Sequence, residues 1–246
     1  VPTAGGKSVS SPETAKRLTI DWSMRRLPTT VNEGYGRTVQ PLSALFDQSE
    51  LSPAARTPRP AMVFFTSQEP NPKLEKRLFD DEDLAIASRY FDCVKIYVED
   101  IESKADRERY AKTTPTIIFL DAGAKEVSRI SGEASKGDVL RQMTKAANVH
   151  LKKSLATHID AYKAFVKRFD KVDGKILDTK EELKGHEEHI VKHPCDRAKN
   201  AIKECNEELL TLSTDLDKLL AEEKRLLAAE LKADPYAKPA KDSAKN

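Results

Sequence analysis

Between residues 151 and 190 the bulky positions recur at alternating intervals of four and three: Leu151, Leu155, His158, Tyr162, Phe165, Phe169, Val172, Ile176, Thr179, Leu183, His186 and Ile190. After His193-Pro194 the rhythm resumes as Ala198, Ile202, Cys205, Leu209, Leu212, Leu216, Leu219, Glu223 and Leu226. Such a period brings one side of a helix to the same face over many turns, and its persistence predicts two long helices packed along a common seam. Proline is absent from 116 to 193 and from 195 to 234. The two segments are similar in length and the break is short, which predicts an antiparallel coiled-coil hairpin, roughly 60 Å long at 1.5 Å per residue. The seam is expected to rest on Leu155, Tyr162, Phe165 and Phe169 in the first helix, and on Ile202, Leu209, Leu212, Leu216 and Leu219 in the second. Gly174 is the position where the first helix would kink or break. Doubled positions, Leu219-Leu220 and Leu226-Leu227, widen the stripe and favour a further partner surface over simple burial.

Residues 61–149 carry a different pattern. Ala61-Met-Val-Phe-Phe65 is a short apolar run of the kind a central strand shows, and Lys73–Phe79 follows with Leu74, Leu78 and Phe79 on one helical face. Carboxylates at 80–83 cap a second short helix through Tyr90. Strands are expected at Val94–Val98, Thr116–Leu120 and Glu126–Ile130, the last after the turn at Ala122-Gly123. Ser135 caps a closing helix that carries Val139, Leu140 and Met143 inward. Strand, crossover helix, strand, then a hairpin and a last helix, defines an α/β layer architecture with a central mixed sheet flanked by helices.

The termini differ again. Seven of the thirteen prolines precede residue 61. Residues 1–17 are expected to be a flexible lead, and 18–60 an irregular wrap with a strand-like Leu18–Trp22 and a brief helix over Pro41–Phe46. Trp22 is expected as a packing anchor. The hairpin arm takes residues 150–234, and the lysine- and proline-bearing 235–246 form a disordered tail.

Charge narrows the classes. The chain has 246 residues with 42 basic and 40 acidic side chains, a net +2, so it lacks the electrostatic footprint of a nucleic-acid binder. No apolar run approaches the roughly 18 residues a spanning helix needs. The sequence begins with Val1 rather than Met, as removal of a signal peptide, a trimmed start or an incomplete record would leave it; the first implies export to a periplasm or medium. Three cysteines are too few for a disulfide scaffold, and they leave the compartment open.

The order of elements over 61–149, with Thr114-Pro-Thr-Ile-Ile-Phe-Leu-Asp121 and Lys125-Glu-Val-Ser-Arg-Ile-Ser-Gly132, resembles the thioredoxin family, especially its bacterial thioredoxin-like branch. The resemblance implies a cis peptide bond at Pro115 and a loop, Thr113-Thr114-Pro115, whose backbone receives an extended peptide. It also implies a Cys-x-x-Cys pair after the first central strand. Those positions hold Glu69-Pro70-Asn71-Pro72, which can form neither a thiolate nor a disulfide. Glu69 near a helix N-terminus is favoured as an anion, a poor proton donor.

Other chemistry is sparse. His186, His189 and His193 share a helical face and could be drawn as a metal site, but their spacing is not that of the His-Glu-x-x-His motif, and ordinary surface or seam histidines are the expected reading. Cys195 and Cys205 lie about 15 Å apart along one helix, too far to bridge. No cofactor is expected. Two readings follow. One is a non-catalytic interaction or structural protein, with a peptide-binding head and an arm for a protein partner or self-association. The other is an atypical thiol-disulfide oxidoreductase or redox helper using Cys93 or the Cys195 and Cys205 thiols.

Overall fold

The computed structural model describes residues 12–27, 41–69 and 71–237, and the backbone alone of 29–32 and 36–39. Expectations for residues 1–11, for Pro70 and for 238–246 fall outside these. The chain runs α1 (Pro12–Arg17), β1 (Ser23–Met24), a hairpin of β2 (Thr29–Asn32) and β3 (Gly36–Val39), β4 (Ala61–Thr66), α2 (Pro72–Phe79), α3 (Glu82–Ser88) and β5 (Asp92–Tyr97). It continues through α4 (Lys104–Ala111), β6 (Thr116–Leu120), β7 (Glu126–Ser131), α5 (Lys136–Asn148), α6 (Leu155–Lys192) and α7 (Asp196–Leu227). Single 3-10 turns occupy Leu42–Leu45, Pro53–Ala55 and Val98–Asp100. Among the described residues the fold divides into two units, one within 20–159 and 229–237, the other of 12–19 and 160–228.

The first unit is built on β4. All six of its residues are buried, because both faces of the sheet are covered. β4 pairs in parallel with β5 and antiparallel with β6, and the sheet order is β1-β5-β4-β6-β7, with β1 parallel to β5 and β7 antiparallel to β6. Alternation along the strands sends Ala61, Val63 and Phe65 to one face, where Val94, Ile96, Ile118 and Leu120 join Leu42, Phe46, Tyr110 and Ala111 in one cluster. There Phe65 and Tyr110 stack with centroids 6.0 Å apart. On the other side Phe64 meets Trp22 and Phe79 at 5.7 and 5.1 Å, so Trp22 is a packing residue. Helices α2, α3 and α5 pack together there, with Leu78, Leu84, Val139 and Met143 fully buried.

Local signals explain the helix starts. Asn71 accepts from the Leu74 N–H, with Pro72 at the first helical position. Asp81 accepts from the Asp83 and Leu84 amides. Ser135 and Asp138 form a reciprocal capping box on α5. Helix α4 was not expected from the pattern: Lys-Ala-Asp-Arg-Glu-Arg-Tyr-Ala shows no amphipathic period and buries only Tyr110 and Ala111.

The second unit is the helical hairpin. α6 passes through Gly174 without a break, since a single glycine costs only about 1 kcal/mol in a helix of this length. The seam positions lie inward: Tyr162, Phe165, Phe169, Ala198, Cys205, Leu212 and Leu219 are buried, while Ile202, Leu209 and Leu216 are half-buried. Leu155, the first seam position, belongs to the sheet unit, where its N–H bonds Asn148 Oδ1 at 2.8 Å. Leu219 is 8% exposed and Leu220 36%, so the doubled leucines widen the stripe only slightly.

Both termini carry corrections. Residues up to 17 were expected to be flexible, yet 12–17 form α1 and belong to the hairpin unit. Arg17 explains this. Its guanidinium bonds the Glu223 carboxylate through Nε and Nη2, at 3.1 and 2.9 Å, and lies 3.8 Å from the centre of the Phe169 ring. Tyr162 Oη donates to the same carboxylate at 2.5 Å. Glu223, the acidic member of the seam, is thereby 8% exposed but charge-paired.

The arm was expected to run to residue 234 and the tail to start at 235. Instead α7 ends at Leu227, and 229–237 return to the sheet unit: Leu231 bridges Leu151, Lys232 N donates to His150 O, Arg56 pairs with Asp234 at 2.8 Å, and Tyr236 Oη donates to Phe46 O. The short strand expected at Leu18–Trp22 is displaced to Ser23–Met24, where pairing with Val94 and Lys95 sets its place.

A buried carboxylate that loses a guanidinium paired to it is costly. Arg17→Ala is expected to destabilise the helical unit by about 3 kcal/mol in urea unfolding, and Arg17→Met with Glu223→Leu to recover part of that loss.

Candidate functional site

The register Phe65↔Thr116 and Thr66↔Tyr97 brings three connections to one end of the sheet: 67–71 after β4, 98–103 after β5, and 112–115 before β6. Of the four positions 69–72, Glu69 is exposed, Asn71 caps α2 and Pro72 opens it. Pro70 lies outside the described residues. Glu69 stands two residues ahead of that cap, and its N–H leans on Ser67 Oγ at 3.3 Å.

Glu99 organises this rim. Its carboxylate accepts from Ser67 Oγ at 2.7 Å and from the Gln68 N–H at 3.0 Å, while Gln68 Nε2 donates to Asp100 Oδ1 at 3.0 Å. The Ser67 hydroxyl, first among several hydrogen bonds, holds the Glu99 carboxyl below the usual carboxylate range. Neither Ser67 nor Glu99 stood out in the sequence, because the bonds link segments about 30 residues apart and no local pattern announces them.

Thr113 and Thr114 are exposed, and Pro115 is half-buried behind a cis Thr114–Pro115 bond. Thr116 Oγ1 donates to Thr113 O at 2.5 Å, and the Gly132 N–H donates to Pro115 O at 2.8 Å. Gly132 has φ +80°, a backbone region that other residues enter only with strain, so glycine lets β7 end against this loop. Among the described residues, nothing bonds the N–H or C=O of Thr114. Thr114 is thus exposed on a loop that is fixed on either side.

The thiols are elsewhere. Cys93 lies buried in β5, and burial pushes its thiol up. Cys205 is buried in the hairpin seam, where desolvation and then Glu182, Glu208 and Glu204 push its thiol up as well. Cys195 is exposed at the hairpin turn. His186, His189 and His193 lie near that turn with the His189 and His193 rings 5.4 Å apart, and among the described residues no group of three potential ligands converges to hold a metal ion.

No protein-family model and no curated protein sequence matches the chain. Its class is set by architecture: a mixed five-stranded sheet with flanking helices, joined to an antiparallel helical hairpin. No helix among the described residues is long and apolar enough to cross a membrane.

Two buried acids of the sheet unit give it a pH signature. Burial raises the Tyr90 phenol to about 12, against the pull of Arg89 and Arg59, and raises Cys93 in the same sense. The folded values exceed the unfolded ones, so the stability these groups confer is complete below the unfolded pKa values and is lost as pH rises toward the folded ones. Stability in urea is expected to fall above about pH 9, and Cys93→Ala to move that onset toward about pH 10, where phenols ionise. At neutral pH a thiol reagent should label Cys195 quickly and the other two only on unfolding.

Proposed function

We propose that this chain is a non-catalytic, thioredoxin-like interaction protein whose head binds an extended peptide at Thr113–Pro115 and whose helical arm serves assembly. One observation carries the reading: at the end of the sheet where β4 and β6 lie side by side, the position of the family's dithiol holds no thiol, while the facing loop offers an unpaired, exposed Thr114 backbone. The thioredoxin likeness is supported by the sheet order, with three parallel strands followed by an antiparallel pair, and by the cis isomer at Pro115 that the resemblance implies.

Chemistry at the rim is limited to hydrogen bonding. The Thr114 N–H and C=O can receive the complementary pair from an extended segment, the backbone exchange by which strand addition gains affinity without dictating sequence. The acidic groups nearby, Glu69, Glu99 and Asp100, favour segments with basic or neutral side chains toward β5. A thiol mechanism would depend on Cys195 alone, since Cys93 and Cys205 are buried with thiols held protonated.

Titration with short extended peptides, followed by amide NMR, is expected to shift residues 112–116 and Gly132. Thr114→Pro, which removes the donor, should weaken binding about tenfold, a loss of about 1.4 kcal/mol. Shifts confined to other surfaces would overturn the reading.

A further inference from the structure

The first turn of α6 carries an ionisable side chain whose surroundings suit it only without charge. Ser154 starts this helix: its Oγ accepts the Thr157 N–H at 3.2 Å and its C=O accepts the His158 N–H at 3.2 Å. The Leu155 N–H bonds Asn148 Oδ1 at the end of α5. Leu155 and Ile159 are buried in the sheet unit, and His158 between them is half-buried. Its imidazole lies against Tyr90, with ring centroids 5.0 Å apart at 45°. His158 Nε2 and Tyr90 Oη are both sealed from solvent, and neither has a hydrogen-bond partner among the described residues.

The charges around the imidazole oppose a second proton on it. Lys153, two residues ahead of α6, is a cation, and the neighbours one turn away on the helix, Leu155, Ala161 and Tyr162, include no carboxylate. Asp160 is two residues on and so lies on another side. From the end of α3 come Tyr90 and Arg89. Arg59 donates to the Arg89 carbonyl and lies 3.8 Å from Asp92, the acid of this group. From α5 comes the neutral amide of Asn148. The first turn of α6 holds no acidic residue, so the positive end of the helix dipole would meet a charged His158 uncompensated. Burial, and after it Lys153, accordingly lower the His158 pKa from its ordinary value.

We propose that His158 makes the start of α6 acid-sensitive: once the imidazole is protonated, residues 155–159 leave Tyr90 for water and their hydrogen bonds to Ser154 and Asn148 open. A charged ring whose Nε2–H has no acceptor gains more from hydration than from this packing. Because the folded pKa is the lower one, the stability conferred by the neutral ring is complete above about pH 6.5, the unfolded value. It is lost as pH falls toward the folded one. The loss is local, because α6 leaves the sheet unit after Ile159 and its later turns are held by the hairpin seam. It is the acid counterpart of the alkaline loss expected from Tyr90 and Cys93, and it is independent of peptide binding at Thr114.

Proton NMR titration of the intact chain, together with amide exchange over residues 155–159, tests this. The His158 imidazole is expected to titrate below about 6.5. Opening of the Leu155, Thr157 and His158 amides, corrected for intrinsic exchange, should rise about fivefold from pH 7 to pH 5. His158→Phe keeps a ring against Tyr90 but removes the proton site, so that variant should show no such rise. Titration of His158 at or above the ordinary value, as attraction of the charged ring to the Tyr90 face would produce, overturns the proposal. An equal acid response in both chains overturns it as well. The titration is read on the unaltered chain and decides by itself if His158→Phe does not fold.

Discussion

The sheet unit depends on β4 having a parallel neighbour on one side and an antiparallel neighbour on the other. A parallel partner requires a crossover, which α2 and α3 provide, and a strand buried on both faces requires two covering layers. The same arrangement decides where a binding site can be. The ends of β4 and β5 and the start of β6 coincide, so three connections meet at one rim, and the side chains there are free of the packing demands that fix the strand itself. Glu99 links two of those connections, and Gly132 secures the third through its bond to Pro115.

The hairpin rests on a different balance. Its seam is mostly apolar, Glu223 is its acidic member, and that carboxylate is tolerated because Arg17 and Tyr162 reach it. Removing two charges from water is costly, so such a cluster contributes less to net stability than to fixing one arrangement. It ties α1 to the two long helices, and the Phe169 ring beneath the guanidinium adds a cation–π contact.

Much of this was legible in the sequence because it is local or periodic. The seam spacing, the apolar run at Ala61–Phe65, the cap at Ser135 and the brief helix near Pro41 depend on neighbours within a few residues. What escaped depends on contacts far along the chain. Arg17 finds its partner 206 residues away, so a stretch that reads as a flexible lead is ordered as α1. Residues 229–237 read as the arm's end and tail, but backbone pairing of Leu231 with Leu151 returns them to the sheet unit. α4 was hidden because it has no amphipathic period and buries only Tyr110 and Ala111 at its end. At the rim, Glu69–Pro72 and the proline loop were legible as motifs, while Ser67, Gln68 and Glu99 were not.

The rim carries an exposed Thr114 and carboxylates, and the buried thiols Cys93 and Cys205 sit inside packed elements. The most direct measurement is peptide binding and sedimentation of a variant in which Cys93, Cys195 and Cys205 are all replaced by Ser, beside the unaltered chain. The account predicts that both properties persist in the folded variant and that neither protein reduces insulin disulfides. Thiol-dependent reduction by the unaltered chain that vanishes in the variant would contradict it.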